Sequence, residues 1–224
     1  TRMKVMDTPK CLMNLGSIPI IEYQLQCFEE FGINDIVVVV GYNSKMVKEY
    51  VGKRAKFVDN LNYKTTNNLY SIWEARDSIN DDFVCVYSDL LFHKEILRRC
   101  INSKNNVCLM VEKKTKKETM RVKIEDDKIT QVNKIIPFEK ADGNFIGMAK
   151  FSKNQKELLF DEINALIQMN NQQAYYTDAI EKLISNGKII NYAYTSDYPW
   201  VDIDTTDDLS EAKTIFKKIM EVTD

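Results

Sequence analysis

Histidine is almost missing from this chain: His93 is the only one in 224 residues. That removes multi-histidine metal sites and any catalytic arrangement that needs two imidazoles. Glycine and proline are scarce, at 7 and 4 residues, so no flexible or proline-rich linker divides the sequence. The five cysteines (Cys11, Cys27, Cys85, Cys100, Cys108) form no C-x-x-C pair and are odd in number. A zinc ribbon or disulfide framework is therefore not expected, and a reducing cytoplasm is. Cys85 in FVCVY and Cys108 in VCLMV read as small buried hydrophobes. No apolar run reaches the roughly 18 residues of a membrane span. No apolar segment follows Thr1-Arg2-Met3-Lys4 as it would in a secretory signal. Charge of one sign is lacking too. Lys+Arg at 31 against Asp+Glu at 33 leaves a net charge of −2, which removes the strongest argument for nucleic-acid binding.

What is present is a rhythm of short apolar runs and amphipathic stretches. IPIIEYQLQCFEEF has helical spacing through Ile21, Leu25 and Phe28, and Gly32 stops it. The run Ile36-Val37-Val38-Val39-Val40 suits a strand covered on both faces. SKMVKEYV (helix), Lys56-Phe57-Val58 (strand), NLYSIWEARDSI (helix), FVCVY (strand), HKEILRRCI (helix) and NVCLMVE (strand) continue the alternation. His93 is expected in the first turn of its helix. ETMRVKIEDDKITQVNK then reads as two strands joined at Asp126-Asp127, a hairpin. GNFIGMAKFS and KIINYAY read as strands, with helices over KELLFDEINALIQM, YYTDAIEKLI and DDLSEAKTIFKKIM. The expected fold is α/β: a Rossmann-like three-layer sandwich with a mixed, mainly parallel central sheet and a small β-hairpin appendage. Residues 1–224 read as a single domain.

Three places carry chemistry. Arg2 and Lys10 flank a proline-containing loop, where two cations suit a polyphosphate. Asp89 follows the strand FVCVY, and ligands of open parallel sheets bind beyond the carboxyl ends of strands. In Trp200-Val201-Asp202-Ile203-Asp204, alternation puts Val201 and Ile203 on one face and Trp200, Asp202 and Asp204 on the other. Asp89 with Asp202 and Asp204 would make a hard-oxygen site suited to Mg²⁺. Cations for phosphates and carboxylates for a metal point to phosphoryl or nucleotidyl transfer. A general base is dispensable there, because a phosphate monoester is already an anionic nucleophile. An aromatic cage from Tyr175, Tyr176, Tyr198, Trp200 and Phe92 would suit a cationic head group on the acceptor.

The pattern T-R-M…T-P-K-C-L…P-I-I-E-Y resembles the tail of the nucleotidyltransferase signature, and Thr66-Asn67-Asn68-Leu69-Tyr70-Ser71 is similar to the N-N-x-Y-S segment of the bacterial phosphocholine cytidylyltransferase-like branch. YSD, GNFIGMAKFS and WVDIDTTDDL follow in the family's order. The resemblance implies that Arg2 and Lys10 hold the triphosphate and that Asn67, Asn68 and Ser71 lie near base and ribose. It implies Mg²⁺ on Asp89, Asp202 and Asp204, an acceptor phosphate near Lys134, and close approach of the acceptor at Gly147. CTP is the implied donor and a small phosphorylated molecule such as phosphocholine the implied acceptor. An NDP-sugar pyrophosphorylase and a non-catalytic nucleotide-binding module are the alternatives. Asn144 stands where many sugar-using relatives carry Glu. The upstream strand and glycine loop of the family are not in the sequence; Thr1 begins in mid-motif, and a preceding segment is expected.

Overall fold

The β-branched runs become strands and the 3.6-spaced stretches become helices. The computed structural model describes residues 8–115, 119–171 and 173–221. In it, α1 (Ile20–Glu30) leads to β1 (Val37–Val40), α2 (Ser44–Val51), β2 (Lys56–Asp59) and α3 (Asn68–Ala75). Next come β3 (Phe83–Val86), β4 (Leu90–Phe92), α4 (Lys94–Ile101) and β5 (Val107–Glu112). The hairpin β6 (Met120–Glu125) and β7 (Lys128–Asn133) precedes β8 (Gly143–Phe151), α5 (Lys153–Gln168) and α6 (Tyr176–Ser185). The chain continues through β9 (Asn191–Tyr194), β10 (Trp200–Asp202) and α7 (Thr206–Glu221).

The main sheet has the order β7-β6-β8-β5-β9, with β3 also paired to β8. β3, β5 and β6 run antiparallel to β8, and β9 runs parallel to β5. These four strands therefore share one direction, and their carboxyl ends lie along one edge. Side chains of β5 alternate between two cores. Val107, Leu109 and Val111 pack with Leu69 of α3, Ile163 of α5 and Ile180 of α6. Met110 joins the opposite core with Tyr23 of α1, Leu97 of α4 and Phe216 of α7. Helices on both faces give the three layers. Among the described residues, no helix is long and apolar enough to cross a membrane.

Strand β8 changes partner along its length. Met120, Arg121 and Val122 of β6 pair with Phe145, Asn144 and Gly143, whereas β3 pairs with Met148 to Phe151. Gly147 sits between the two stretches at φ +89°, beside a register shift in the β5 pairing. Its carbonyl accepts from Tyr87 N at 3.0 Å, and a Cβ there would stand 2.4 Å from the Tyr87 ring. The bend and the ring together demand glycine.

The expected hairpin forms, with Asp126 and Asp127 at φ 48° and 56°, both left-handed as a two-residue primed turn requires. It is fastened to the main sheet through β6–β8. Two features were not read from the sequence. Leu90–Phe92, fully buried, forms β4 and pairs antiparallel with β10. The parallel pair β1–β2 stands apart from the main sheet, so β1 and β3 each keep one edge unpaired among the described strands. His93 lies one residue before its helix and caps it, its Nδ1 accepting from Glu95 N at 3.2 Å.

Candidate active site

The pairing of β4 with β10 assembles the acidic groups. Its register sets Asp202 opposite Leu90, and Ile203 N donates to the Asp89 carbonyl at 3.1 Å. Val201 and Ile203 are buried in the core beneath α1, α4 and α7. Alternation along the strand carries Asp202 and Asp204 to the side of Asp89. Lys10 comes from a 3-10 turn, Lys10–Leu12, where Cys11 is buried against Ile21 and Leu25 and directs Lys10 outward. Lys10 Nζ donates to Asp204 Oδ1 at 2.5 Å and to Asp89 Oδ2 at 3.2 Å. Four residues from three remote segments thus meet beyond the end of β3, on the carboxyl edge of the sheet.

Electrostatics follow from this packing. Burial opposes the charge of Lys10, but Asp89 and Asp204 outweigh it and raise its pKa. Burial pushes the Asp202 carboxyl up to about 7, and the negative charges of Asp89 and Asp204 add to the shift against Lys10. Asp202 Oδ1 is buried and has no hydrogen-bond partner among the described residues. Three carboxyl groups face one ammonium, and oxygen donors of this kind are the chemistry that a hard divalent cation prefers. Among the described residues, no three of His, Cys, Asp and Glu stand ready to hold a metal as arranged; Lys10 supplies the positive charge instead.

The other expected site residues divide. Asn67 caps α3, accepting from Asn68 N at 2.8 Å. Asn68 spends its amide inside the protein, donating to Tyr87 Oη at 3.0 Å and accepting from Tyr176 N at 2.9 Å. Ser71 Oγ accepts from Asn60 at 3.1 Å. These three therefore brace α3 against its surroundings. Lys134 Nζ donates to Tyr175 Oη at 2.9 Å. The close approach at Gly147 is made by Tyr87. Asn144 is fully buried, donating to Lys114 O at 3.0 Å and accepting from Thr119 Oγ1 at 2.8 Å, so it ties Lys114 and Thr119 to β8. Arg2 lies outside the described residues.

The five aromatic residues do not converge on one cage. Tyr176 is fully buried in the core of α3, α5 and α6, edge-on to Tyr87 and Phe145, and Tyr175 packs on that core. Phe92, Tyr198 and Trp200 belong to the opposite core. Trp200 Nε1 donates to Glu112 Oε2 at 3.2 Å. Glu112 in turn lines a cavity of about 240 Å³ with Lys113, Tyr194, Thr195, Ser196 and Asp197, on the carboxyl edge of the sheet. Sequence reading missed Glu112 and also Gln24, a buried amide of α1. Gln24 lies within the apolar stretch IIEYQLQCF, and that placement was the available signal.

Comparison with known proteins identifies the family. The family model described as "Nucleotidyl transferase" matches residues 5–218. CTP:phosphoglutamine cytidylyltransferase of Campylobacter jejuni is 25% identical over 238 residues, covering 91% of this chain and 90% of that protein. Choline-phosphate cytidylyltransferase of Streptococcus pneumoniae is 36% identical over 97 residues, covering 41% of this chain and 42% of that protein. The solved inositol-1-phosphate CTP transferase of T. maritima superimposes with a TM-score of 0.79 at 19% identity, over 97% of this chain and 90% of that one. The CTP:phosphocholine cytidylyltransferase of Streptococcus pneumoniae gives 0.77 at 21% identity, over 93% and 90%. The last two comparisons speak to the fold, and the family match extends over nearly the whole sequence: the chain belongs to the nucleotidyl transferase family.

Proposed function

We propose that this protein transfers the nucleoside monophosphate of CTP to a small phosphorylated acceptor, in the manner of phosphocholine, and releases pyrophosphate. One observation carries the reading: Lys10 bridges Asp89 and Asp204, and beside them Asp202 holds a buried oxygen with no partner among the described residues. The site has cation and carboxylate chemistry, and the single histidine is occupied as a helix cap. The preference for cytidine rests on the N-N-x-Y-S resemblance and on the cytidylyl relatives.

Asp89, Asp202 and Asp204 would hold Mg²⁺, which supplies charge neutralisation for the phosphates of both substrates. Lys10 exchanges its carboxylates for phosphate oxygens and, with Arg2, stabilises charge at the α-phosphate. An acceptor phosphate oxygen bonds to the α-phosphorus in line, as the bond from that phosphorus to the pyrophosphate oxygen breaks. The β4–β10 pairing keeps the carboxylates in register, so positioning carries the rate. Lys134 and Trp200 are the residues we assign to the acceptor side. Asn67, Asn68 and Ser71 shape the wall nearest the base, with Tyr176 and Gly147 behind it. We place the reaction in a reducing cytoplasm, where cysteines stay as thiols.

The test is a matrix of CTP, UTP, GTP and dTTP against phosphocholine, phosphoethanolamine, glycerol phosphate and hexose 1-phosphates, read by pyrophosphate release with Mg²⁺. Turnover with CTP and one phosphorylated alcohol supports the reading. Turnover only with a hexose 1-phosphate moves the protein to the sugar branch, and no turnover in any cell rejects the assignment.

A further inference from the structure

Gln24 is a polar residue in the middle of a buried helical face, between Tyr23 and Leu25, and is itself only 5% exposed. A primary amide in such surroundings is held there by hydrogen bonds. Its Nε2 donates to the Tyr87 carbonyl at 2.9 Å and to the Leu90 carbonyl at 2.8 Å. Those residues are the first and last of a four-residue turn, closed by Leu90 N donating to Tyr87 O at 3.2 Å. Ser88 and Asp89 occupy its centre. The Asp89 carbonyl meanwhile accepts from Ile203 N at 3.1 Å.

We propose that Gln24 is a positioning residue for the reaction: from α1 it staples both ends of the turn that aims Asp89 at Lys10 and Asp202. The proposal rests on the nucleotidyl-transfer reading given above. Asp89 lies in a turn between two short strands, and such a turn has few fixed contacts of its own. The grip from Gln24 on one side and Ile203 on the other over-determines it. Lys10 and Gln24 belong to neighbouring segments, the 3-10 turn and α1 that follows it. One piece of chain thus delivers the cation and sets the carboxylate it meets.

Three measurements on the full chain test this. Gln24→Met keeps the volume and removes both donors; Ile163→Ala, in α5 and in the core on the other face of the sheet, serves as a control for lost stability. Amide exchange at Asp89 and Leu90 needs no substrate. Mn²⁺ affinity is read by paramagnetic resonance, and kcat is separated from the KM for triphosphate. Gln24→Met is expected to speed exchange at the turn, to weaken Mn²⁺ about 10–100-fold, and to lower kcat more than it raises KM. Ile163→Ala is expected to lower the melting temperature and leave Mn²⁺ affinity unchanged. Wild-type Mn²⁺ affinity in Gln24→Met, or an equal loss in Ile163→Ala, would overturn the proposal. If the wild-type chain binds no Mn²⁺ and releases no pyrophosphate, the functional reading falls. Exchange then judges the staple by itself: faster exchange sustains it and unchanged exchange refutes it.

Discussion

Lys10 Nζ lies 2.5 Å from Asp204 Oδ1, across almost the whole length of the chain. Asp204 is largely exposed, with 66% of its side-chain surface accessible, so the pair contributes at most about 1 kcal/mol to stability. Its meaning is electrostatic. The ammonium stands beside carboxylates that a divalent ion would otherwise neutralise. Lys10→Met is therefore expected to tighten Mn²⁺ binding in the absence of nucleotide while lowering turnover about 100-fold or more. Calorimetric titration checks the first effect, and unchanged or weaker Mn²⁺ binding would count against Lys10 as the competing cation.

Asp89→Asn removes a charged oxygen without opening a cavity. Expected are an unchanged melting temperature within a few degrees and a kcat lower by about 100-fold or more. Circular dichroism and steady-state kinetics together check this. Normal turnover in the folded variant would discredit the assigned metal site.

Asp202 makes stability depend on pH. Its carboxyl is pushed up to about 7 in the folded chain, against an ordinary value near 4 in the unfolded one. Between those pH values the folded state holds a proton that the unfolded state releases. The stabilisation from this group is therefore present at the acid end and is lost as pH rises towards 7. Asp202→Asn abolishes that slope. Its melting temperature relative to wild type, measured without divalent ions, should rise between pH 5 and pH 8; parallel curves would show that Asp202 titrates normally.

Gly147→Ala meets two penalties at once, a left-handed backbone and the Tyr87 ring 2.4 Å from the new Cβ. A loss of about 2–4 kcal/mol is expected in urea unfolding. The displaced ring would also disturb Asn68, which donates to its hydroxyl. Wild-type stability would mean that β8 can shift its bend elsewhere.

How far the sequence could be read depended on where the cause of each feature lay. β5 was legible because VCLMV is apolar throughout, and the hairpin because Asp126 and Asp127 mark its turn. Asp202 and Asp204 shared a face by simple alternation. β4 was hidden because three residues carry no periodicity, and its existence depends on β10, which joins it from the far end of the chain. Asn68 looked available for ligand, yet its partners are Tyr87 and Tyr176, the latter 108 positions away. The aromatic residues of the expected cage fell on opposite faces of the sheet, a division that only the register of the strands decides. Gln24 was read as part of an amphipathic helix; its two carbonyl partners belong to a turn that no local pattern announces.

The most direct test follows pyrophosphate and nucleotidylated acceptor together, in the wild-type chain with CTP, a phosphorylated alcohol and Mg²⁺, before and after chelation by EDTA. Equal amounts of the two products, stopped by the chelator and restored by added Mg²⁺, are the predicted result. Product formation that persists undiminished in EDTA, or triphosphate that is bound and never cleaved, would contradict a carboxylate-held ion at Asp89, Asp202 and Asp204.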